Sequence, residues 1–433
     1  MNKVKEEKLK SSLNIDWNAS NIAKISNEFF SIDAEGDEKE AREKIEPWLT
    51  AIFQSEHLSL LVGSGLTIAL MYMLDPDIEY QEMERINFKY FSEEIKKWAE
   101  DQASKLERGE ANFEDDLCTA IDLLRGLKIV KNQKAEDLEK EINEKMREFT
   151  ERILRAEKDF IEKYNQESIN YLKSFLVSFA SRTATRDRLN IFTTNYDRFI
   201  EYGCDLSGIL ILDRFIGKIQ PELRTTRLEL DYHYNPPGIR GEPRYVEGVT
   251  KFTKLHGSID WCFKNDKIQQ VPIAFGSNKS IRDFYSNPLD FAVIYPNSMK
   301  CIETAYYPYS ELFRDFSSSI CRPNSVVVTY GYGFGDSHIN RILEDMLTIP
   351  STHLVIISYD EASGRIKNFY EKTNEAQITL LMGKFFGDLK KLVNNYLPKA
   401  AIDRITQRRQ SVLEKRGKQS LEQDKKMEIE NDL

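Results

Sequence analysis

The chain has 433 residues, of which 41% are hydrophobic and 30% charged, with a formal net charge of -9. This is the composition of a soluble globular protein and excludes a disordered or collagen-like chain; the acidic balance argues against a broad nucleic-acid footprint, so no direct nucleic-acid binding is expected. The length exceeds the roughly 100–200 residues of one domain, which predicts one large domain with inserts, or two domains.

The first eighteen residues lack an apolar h-region, so no secretory signal is expected. Residues 1–55 read as an N-terminal helical extension, with a helix from Glu38 to Phe53 that Pro47 kinks or restarts. The stretch LSLLVGSGLTIALMYML (58–74) is slightly short for a membrane span and is broken by Gly63-Ser64-Gly65, which predicts strand, turn and helix and no membrane partner. Residues 77–178 read as a helical insert domain. Within it Leu138, Ile142, Met146, Phe149, Ile153, Ala156, Phe160 and Tyr164 recur at three- and four-residue steps, one apolar stripe along a long helix that is expected to pack within the chain, with a subunit interface as the alternative. The acidic run Glu114-Asp115-Asp116 is read as a helix start, where carboxylates suit the dipole.

From Leu189 short apolar runs follow: LNIFTTN, KFTKLHG, DFAVIYPNS, SVVVTYGYG and THLVIISYD. Such runs suit strands buried on both faces, and helical patterns such as Ser337–Leu347 separate them. The fold expected is α/β, a Rossmann-like mostly parallel sheet with helices on both faces, formed by 56–76 and 179–392. Residues 393–433 read as a charged helical tail. The five cysteines, Cys118, Cys204, Cys262, Cys301 and Cys321, stand far apart without a C-x-x-C pair, which points to reduced cytoplasmic thiols and away from zinc or another metal site.

Ligands of such a sheet bind beyond the carboxyl ends of the strands, so the residues closing each run should converge. Gly63, Ser64 and Gly65, with Thr67 behind them, can bring backbone close to a pyrophosphate at a helix start, although a tight strand-to-helix turn would need the same glycines. Gly331, Tyr332 and Gly333 form a second glycine-rich strand end, and two such ends without a P-loop lysine suggest a dinucleotide. Asp336 or Ser337 is expected to cap the next helix. Thr194, Asn195 and Asp197 close a third run; the Asn carboxamide can hold a ribose hydroxyl or a water, and an Asx turn is the plain structural alternative. His256, between Leu255 and Gly257, is placed to act as a base near neutrality. His338 reads as a capping or packing residue.

In order and context, Gly63-Ser64-Gly65, Thr194-Asn195-Tyr196-Asp197, Leu255-His256-Gly257 and Gly331-Tyr332-Gly333 resemble the nucleotide-binding motifs of the sirtuin family. The resemblance covers about 58–75 and 185–390. It implies NAD as the substrate, with Gly63, Ser64 and Gly65 at the pyrophosphate, Asn195 and Asp197 at the nicotinamide ribose, His256 as catalytic base and Gly331 to Gly333 at phosphate and ribose; Asp360 is a weaker candidate for the adenosine ribose. The four-cysteine zinc module of the deacylases is missing and the insert 77–178 stands where their small domain would be. The pattern is therefore more similar to bacterial sirtuin-like effectors of anti-phage defence, which hydrolyse NAD and in some cases act as large homo-oligomers with a HerA-type hexameric ATPase. The leading expectation is NAD glycohydrolase activity; an NAD or ADP-ribose binding module without turnover, and a protein deacylase or ADP-ribosyltransferase, are the alternatives.

Overall fold

A computed structural model describes residues 15–32, 38–76, 85–105, 111–163, 165–182, 186–224, 231–234, 244–264, 267–279, 291–293 and 308–399. Its strands are β1 (Asn21–Ile25), β2 (Glu28–Ser31), β3 (His57–Val62), β4 (Leu189–Thr193), β5 (Leu210–Leu212), β6 (Phe215–Ile216), β7 (Glu222–Leu223), β8 (His233–Tyr234), β9 (Arg244–Tyr245), β10 (Val249–Lys254), β11 (Gly257–Lys264), β12 (Lys267–Gln270), β13 (Phe291–Val293), β14 (Ser325–Tyr330), β15 (His353–Ser358) and β16 (Ile378–Gly383). The longer helices are α1 (Glu38–Ile52), α2 (Gly65–Leu74), α3 (Ser92–Lys105), α4 (Phe113–Ile129), α5 (Ala135–Glu162), α6 (Gln166–Ala180), α7 (Phe199–Ser207), α8 (Tyr309–Ile320), α9 (Ser337–Leu347) and α10 (Arg365–Lys372).

Nine strands form one mixed sheet in the order β2-β1-β16-β15-β14-β3-β4-β10-β5. Every pairing from β16 to β5 is parallel. Taking β3 as first, the chain adds β4 and β10 on one side, then returns to add β14, β15 and β16 on the other. That is the doubly wound order of dinucleotide-binding folds, and its reversal lies between β3 and β14. The expected α/β class is what the molecule has.

Side chains alternate across each strand, so one face of β3 delivers Leu58, Leu60 and Val62 to a core shared with α1, α2, α6 and α7. Leu61, Val327, Leu354 and Ile356 point to the other face, against α8, α9 and α10. Both faces are thus covered, which is why β14 and β15 are almost wholly apolar.

Three sequence expectations are corrected. The N-terminal extension is not wholly helical: α1 forms as expected and contains Pro47, but residues 21–31 make an antiparallel hairpin that pairs with β16. Lys24 is fully buried there, its ammonium donating to the carbonyls of Glu375 and Ile378 (2.7 Å to the latter), which is how a lysine comes to sit inside a sheet. The run DFAVIYPNS does not join the parallel sheet. Its described part, β13, pairs antiparallel with β11 in a second, smaller sheet. The insert, lastly, ends earlier than residue 178, because α6 packs into the sheet's core through Leu172, Phe175, Leu176 and Phe179.

The apolar stripe of α5 packs within the chain. Leu138, Ile142 and Met146 join a separate core with α3 and α4, Ile153 and Leu154 reach Tyr196, Ile259 and Ile273, and Ala156 and Phe160 enter the main core. One helix therefore ties the insert to the sheet. The acidic run is consumed locally: Asp115 completes a capping box with Asn112, and Asp116 accepts both arms of Arg85 at 2.8 Å. The tail beyond Lys399 lies outside the described residues.

Candidate functional site

The carboxyl ends of β15, β14, β3, β4 and β10 lie side by side, so Asp360, Gly331, Gly63, Asn195 and His256 follow one another across the top of the sheet in that order. Residues up to 300 apart in sequence are brought to one edge by parallel pairing alone. The pairing continues past the strands: Thr194 N–H donates to Val62 O (3.2 Å), and Leu255 N–H donates to Thr193 O (2.8 Å).

At the reversal point the two glycine-rich ends interlock. Gly63 N–H donates to Tyr330 O and Gly65 N–H to Gly331 O, each at 3.1 Å. A Cβ built on Gly65 would lie 2.5 Å from the Gly331 Cα, and one on Gly331, whose φ is +60°, would lie 2.6 Å from the Gly65 Cα. Contact between two backbones at that range admits no side chain. These glycines are required by the packing of β3 against β14 whether or not a phosphate comes near. Gly333 is different: a Cβ there meets only the Arg365 guanidinium, at 3.4 Å, and its carbonyl accepts from Arg365 Nε at 2.7 Å. Tyr332 is buried, its hydroxyl donating to Asn340 Oδ1 at 2.9 Å. Ser64 stands before α2 without capping it.

Beyond β4 the loop 194–198 is held by a buried polar network. Thr67 Oγ1, on the first turn of α2, donates to Asp197 Oδ2 (2.7 Å) and receives Asn195 Nδ2 (3.2 Å); the Asn195 backbone N–H donates to Thr193 Oγ1 (3.1 Å). A hydroxyl has one proton. Since that of Thr67 goes to the carboxylate, Asn195 must present its amide nitrogen to Thr67, and Oδ1 is left buried with no hydrogen-bond partner among the described residues. An unsatisfied buried acceptor costs about 1–3 kcal/mol. A water or a ligand hydroxyl placed against Oδ1 would relieve that cost.

Asp197 is buried beneath this network, and burial raises its carboxyl above the usual range, against the pull of Lys254 and the Thr67 hydrogen bond. Lys254, the last residue of β10 and also buried, donates to the carbonyls of Tyr196 (3.3 Å) and Asp197 and to Glu201 Oε1 (2.9 Å). One ammonium thus fixes the Asn195 loop to the strand that carries His256.

His256 lies in the turn two residues past β10, at the strand end where KFTKLHG puts it. Gly257 has φ +82° and reverses the chain into β11, which is the backbone reason for a glycine beside the histidine. The buried imidazole sits between Tyr196 and Phe313, with ring centroids 6.2 and 6.5 Å away. Its Nε2 is 3.9 Å from Asp336 Oδ1. Asp336 does precede α9, but its side chain does not cap that helix. The carboxylate beside the histidine was not foreseen as a site residue; the only hint is its place at the end of the second glycine-rich segment.

Two more site neighbours are invisible in sequence. Glu157 of α5 is fully buried and holds Arg198 by its backbone N–H (3.0 Å), Nε (3.2 Å) and Nη2 (2.5 Å); burial raises its pKa against the pull of that guanidinium. Phe149 of the same helix meets Tyr196 edge-on at 5.6 Å. Asp360, by contrast, is exposed and turns its carboxylate to the Ala362 N–H at 2.8 Å. His338 meets Phe313 edge-on, 6.2 Å between centroids.

Among the described residues no group of three or more His, Cys, Asp and Glu is arranged to hold a metal. No described helix is long and apolar enough to cross a membrane. No curated protein matches the chain. Residues 189–379, from the first residue of β4 into β16, match the family model of the SIR2-like domain, which supports a sirtuin-like family and, in general terms, an NAD-related function.

Proposed function

We propose that the strand-end site hydrolyses NAD to nicotinamide and ADP-ribose. The observation that carries the proposal is the buried Oδ1 of Asn195, with no hydrogen-bond partner among the described residues, at a strand end one strand away from that of His256. Breaking the nicotinamide glycosidic bond expels a neutral group from a cation, so the reaction asks the protein for an oriented ribose, a placed water and a base, and for no metal or strong acid. Asn195 Oδ1 accepts from a ribose hydroxyl or from that water. His256 takes the proton at an imidazole nitrogen, and Asp336 at 3.9 Å favours the imidazolium that results. Thr67, Asp197 and Lys254 hold the Asn195 loop still, while Gly63, Ser64, Gly65, Thr194 and Gly331 to Gly333 border the crevice at the reversal point, the side on which the pyrophosphate would lie.

The setting of this activity rests on the resemblance of the four motifs. It is NAD depletion in cytoplasmic anti-phage defence, by a homo-oligomer controlled through a HerA-type ATPase. One observation favours binding without turnover: the Gly65–Gly331 contact gives the glycines a packing reason that needs no ligand. Incubating the protein with NAD and an acylated lysine peptide, with and without a HerA-type ATPase, and identifying products by mass spectrometry separates the readings. Free ADP-ribose and nicotinamide support hydrolysis. O-acyl-ADP-ribose or a modified peptide points to transfer, and intact NAD in every mixture to a binding module.

A further inference from the structure

In a sheet covered by helices on both faces, central strands present apolar residues to both. One register row that departs from this rule borders a cavity. On the face that carries α8, Leu354 of β15, Val327 of β14, Ser59 of β3, Asn190 of β4, Lys251 of β10 and Leu212 of β5 stand in line. It begins as a core row and ends in an amide and an ammonium. Over the apolar end lies the helical layer; Phe316 of α8 meets Phe192 at 4.8 Å, and Asp315 and Ser319 of the same helix border the space beyond. Beyond it the hairpin of β6 and β7 forms a roof, with Arg214 tied to Asp315 of α8 at 2.6 and 2.8 Å and to the Arg224 carbonyl at 3.0 Å. Roof and sheet enclose a cavity of about 260 Å³, near the lower bound of small-molecule pockets, about 300 Å³.

Its lining divides by chemistry. Phe192, Leu212 and Phe215 supply apolar wall, Asn190 and Thr253 supply hydrogen-bonding groups, and Arg224 and Lys251 supply positive charge; of the two acids in the lining, Asp315 is held by Arg214 and Asp213 accepts from the Phe215 N–H at 2.9 Å. The Arg214 guanidinium is spent on Asp315. The Arg224 guanidinium hydrogen-bonds to no described residue, and Lys251, although it interacts electrostatically with Asp187, hydrogen-bonds to none either. Two half-buried cations, neither hydrogen-bonded through its side chain to a described residue, thus line one cavity. None of the strand-end residues lines this cavity.

We propose that this cavity is a second binding site, separate from the strand-end site, for a small anionic molecule that carries a planar apolar ring. The ring lies against Phe192 and Leu212 and the anionic group meets Lys251 and Arg224. The inference stands independently of NAD hydrolysis.

Calorimetric titration of the full chain with adenosine monophosphate, adenosine and inorganic phosphate, each without NAD and with saturating NAD, tests it. The expected result is one saturable site for the monophosphate, at least tenfold tighter than for either fragment. Lys251→Met should weaken it at least tenfold, and Leu212→Trp, which fills the cavity and leaves both cations, should abolish it; near-UV circular dichroism checks that each variant is folded. Failure of the monophosphate to saturate, displacement of it by NAD, equal affinity for phosphate alone, or unchanged affinity in both variants overturns the proposal.

Discussion

Gly331→Ala should destabilise the protein by about 2–5 kcal/mol, a sum of two effects at one methyl group. The first is the αL backbone at φ +60°, which costs an L-residue about 1–2 kcal/mol. The second is overpacking: the new Cβ would fall 2.6 Å from the Gly65 Cα and 2.9 Å from its carbonyl carbon, both backbone atoms of a turn pinned between β3 and α2, and inserted groups in filled space cost about 1–3 kcal/mol. Gly335→Ala is the matched control, because a Cβ there meets nothing within 4 Å and φ is not positive. Urea unfolding followed by tryptophan fluorescence reads both; of the four tryptophans, Trp48 donates to Thr379 at the sheet. If Gly331→Ala unfolds within about 0.5 kcal/mol of wild type, the interlocked glycine turns are not the rigid element described above.

Three further outcomes follow from the network around Asn195 and from the sheet edge. Glu157→Gln leaves the Arg198 guanidinium buried without its carboxylate and should cost about 3–5 kcal/mol; a loss under about 1 kcal/mol in the same urea assay would show that α5 does not clamp the loop. Thr67→Val removes the hydroxyl between Asn195 and Asp197, and should lower kcat for NAD by a larger factor than it changes KM, since the group it frees orients the reacting ribose or water; a pure KM effect contradicts that role. His353 has its pKa lowered to about 4 by burial, with Lys24 adding to the shift. A folded value below the unfolded value of about 6.5 means stability present above pH 6.5 and lost as pH falls through 4, at most about 3 kcal/mol for a partly exposed ring. His353→Gln should flatten that acid limb, and parallel wild-type and variant curves would refute the assignment.

The sequence carries the strand ends well because continuous apolar runs and the small residues that stop them are both local signals. It carries the motif order well too, since parallel pairing in a doubly wound sheet brings successive strand ends together without further information. What it hides is whatever depends on partners far away. Lys24 reads as a surface residue until the carbonyls of Glu375 and Ile378 are seen around its ammonium. Glu157 sits on the buried side of a charged helix and finds Arg198 across 41 residues. Asp336 looks like a helix cap, and only the fold shows that its carboxylate faces His256 instead. β13 was misjudged for a related reason: an apolar run does not announce which sheet it joins.

The central claim is that Asn195 and His256 act on NAD at adjoining strand ends. Its most direct test is nicotinamide release from NAD by wild type, Asn195→Ala and His256→Ala, measured by chromatography with thermal unfolding as the check on folding, alone and beside a HerA-type ATPase. The account predicts turnover by wild type under at least one condition and a loss of at least a hundredfold in each folded variant, the order expected when a positioning or acid–base group is removed. Wild-type turnover that survives both substitutions would contradict it.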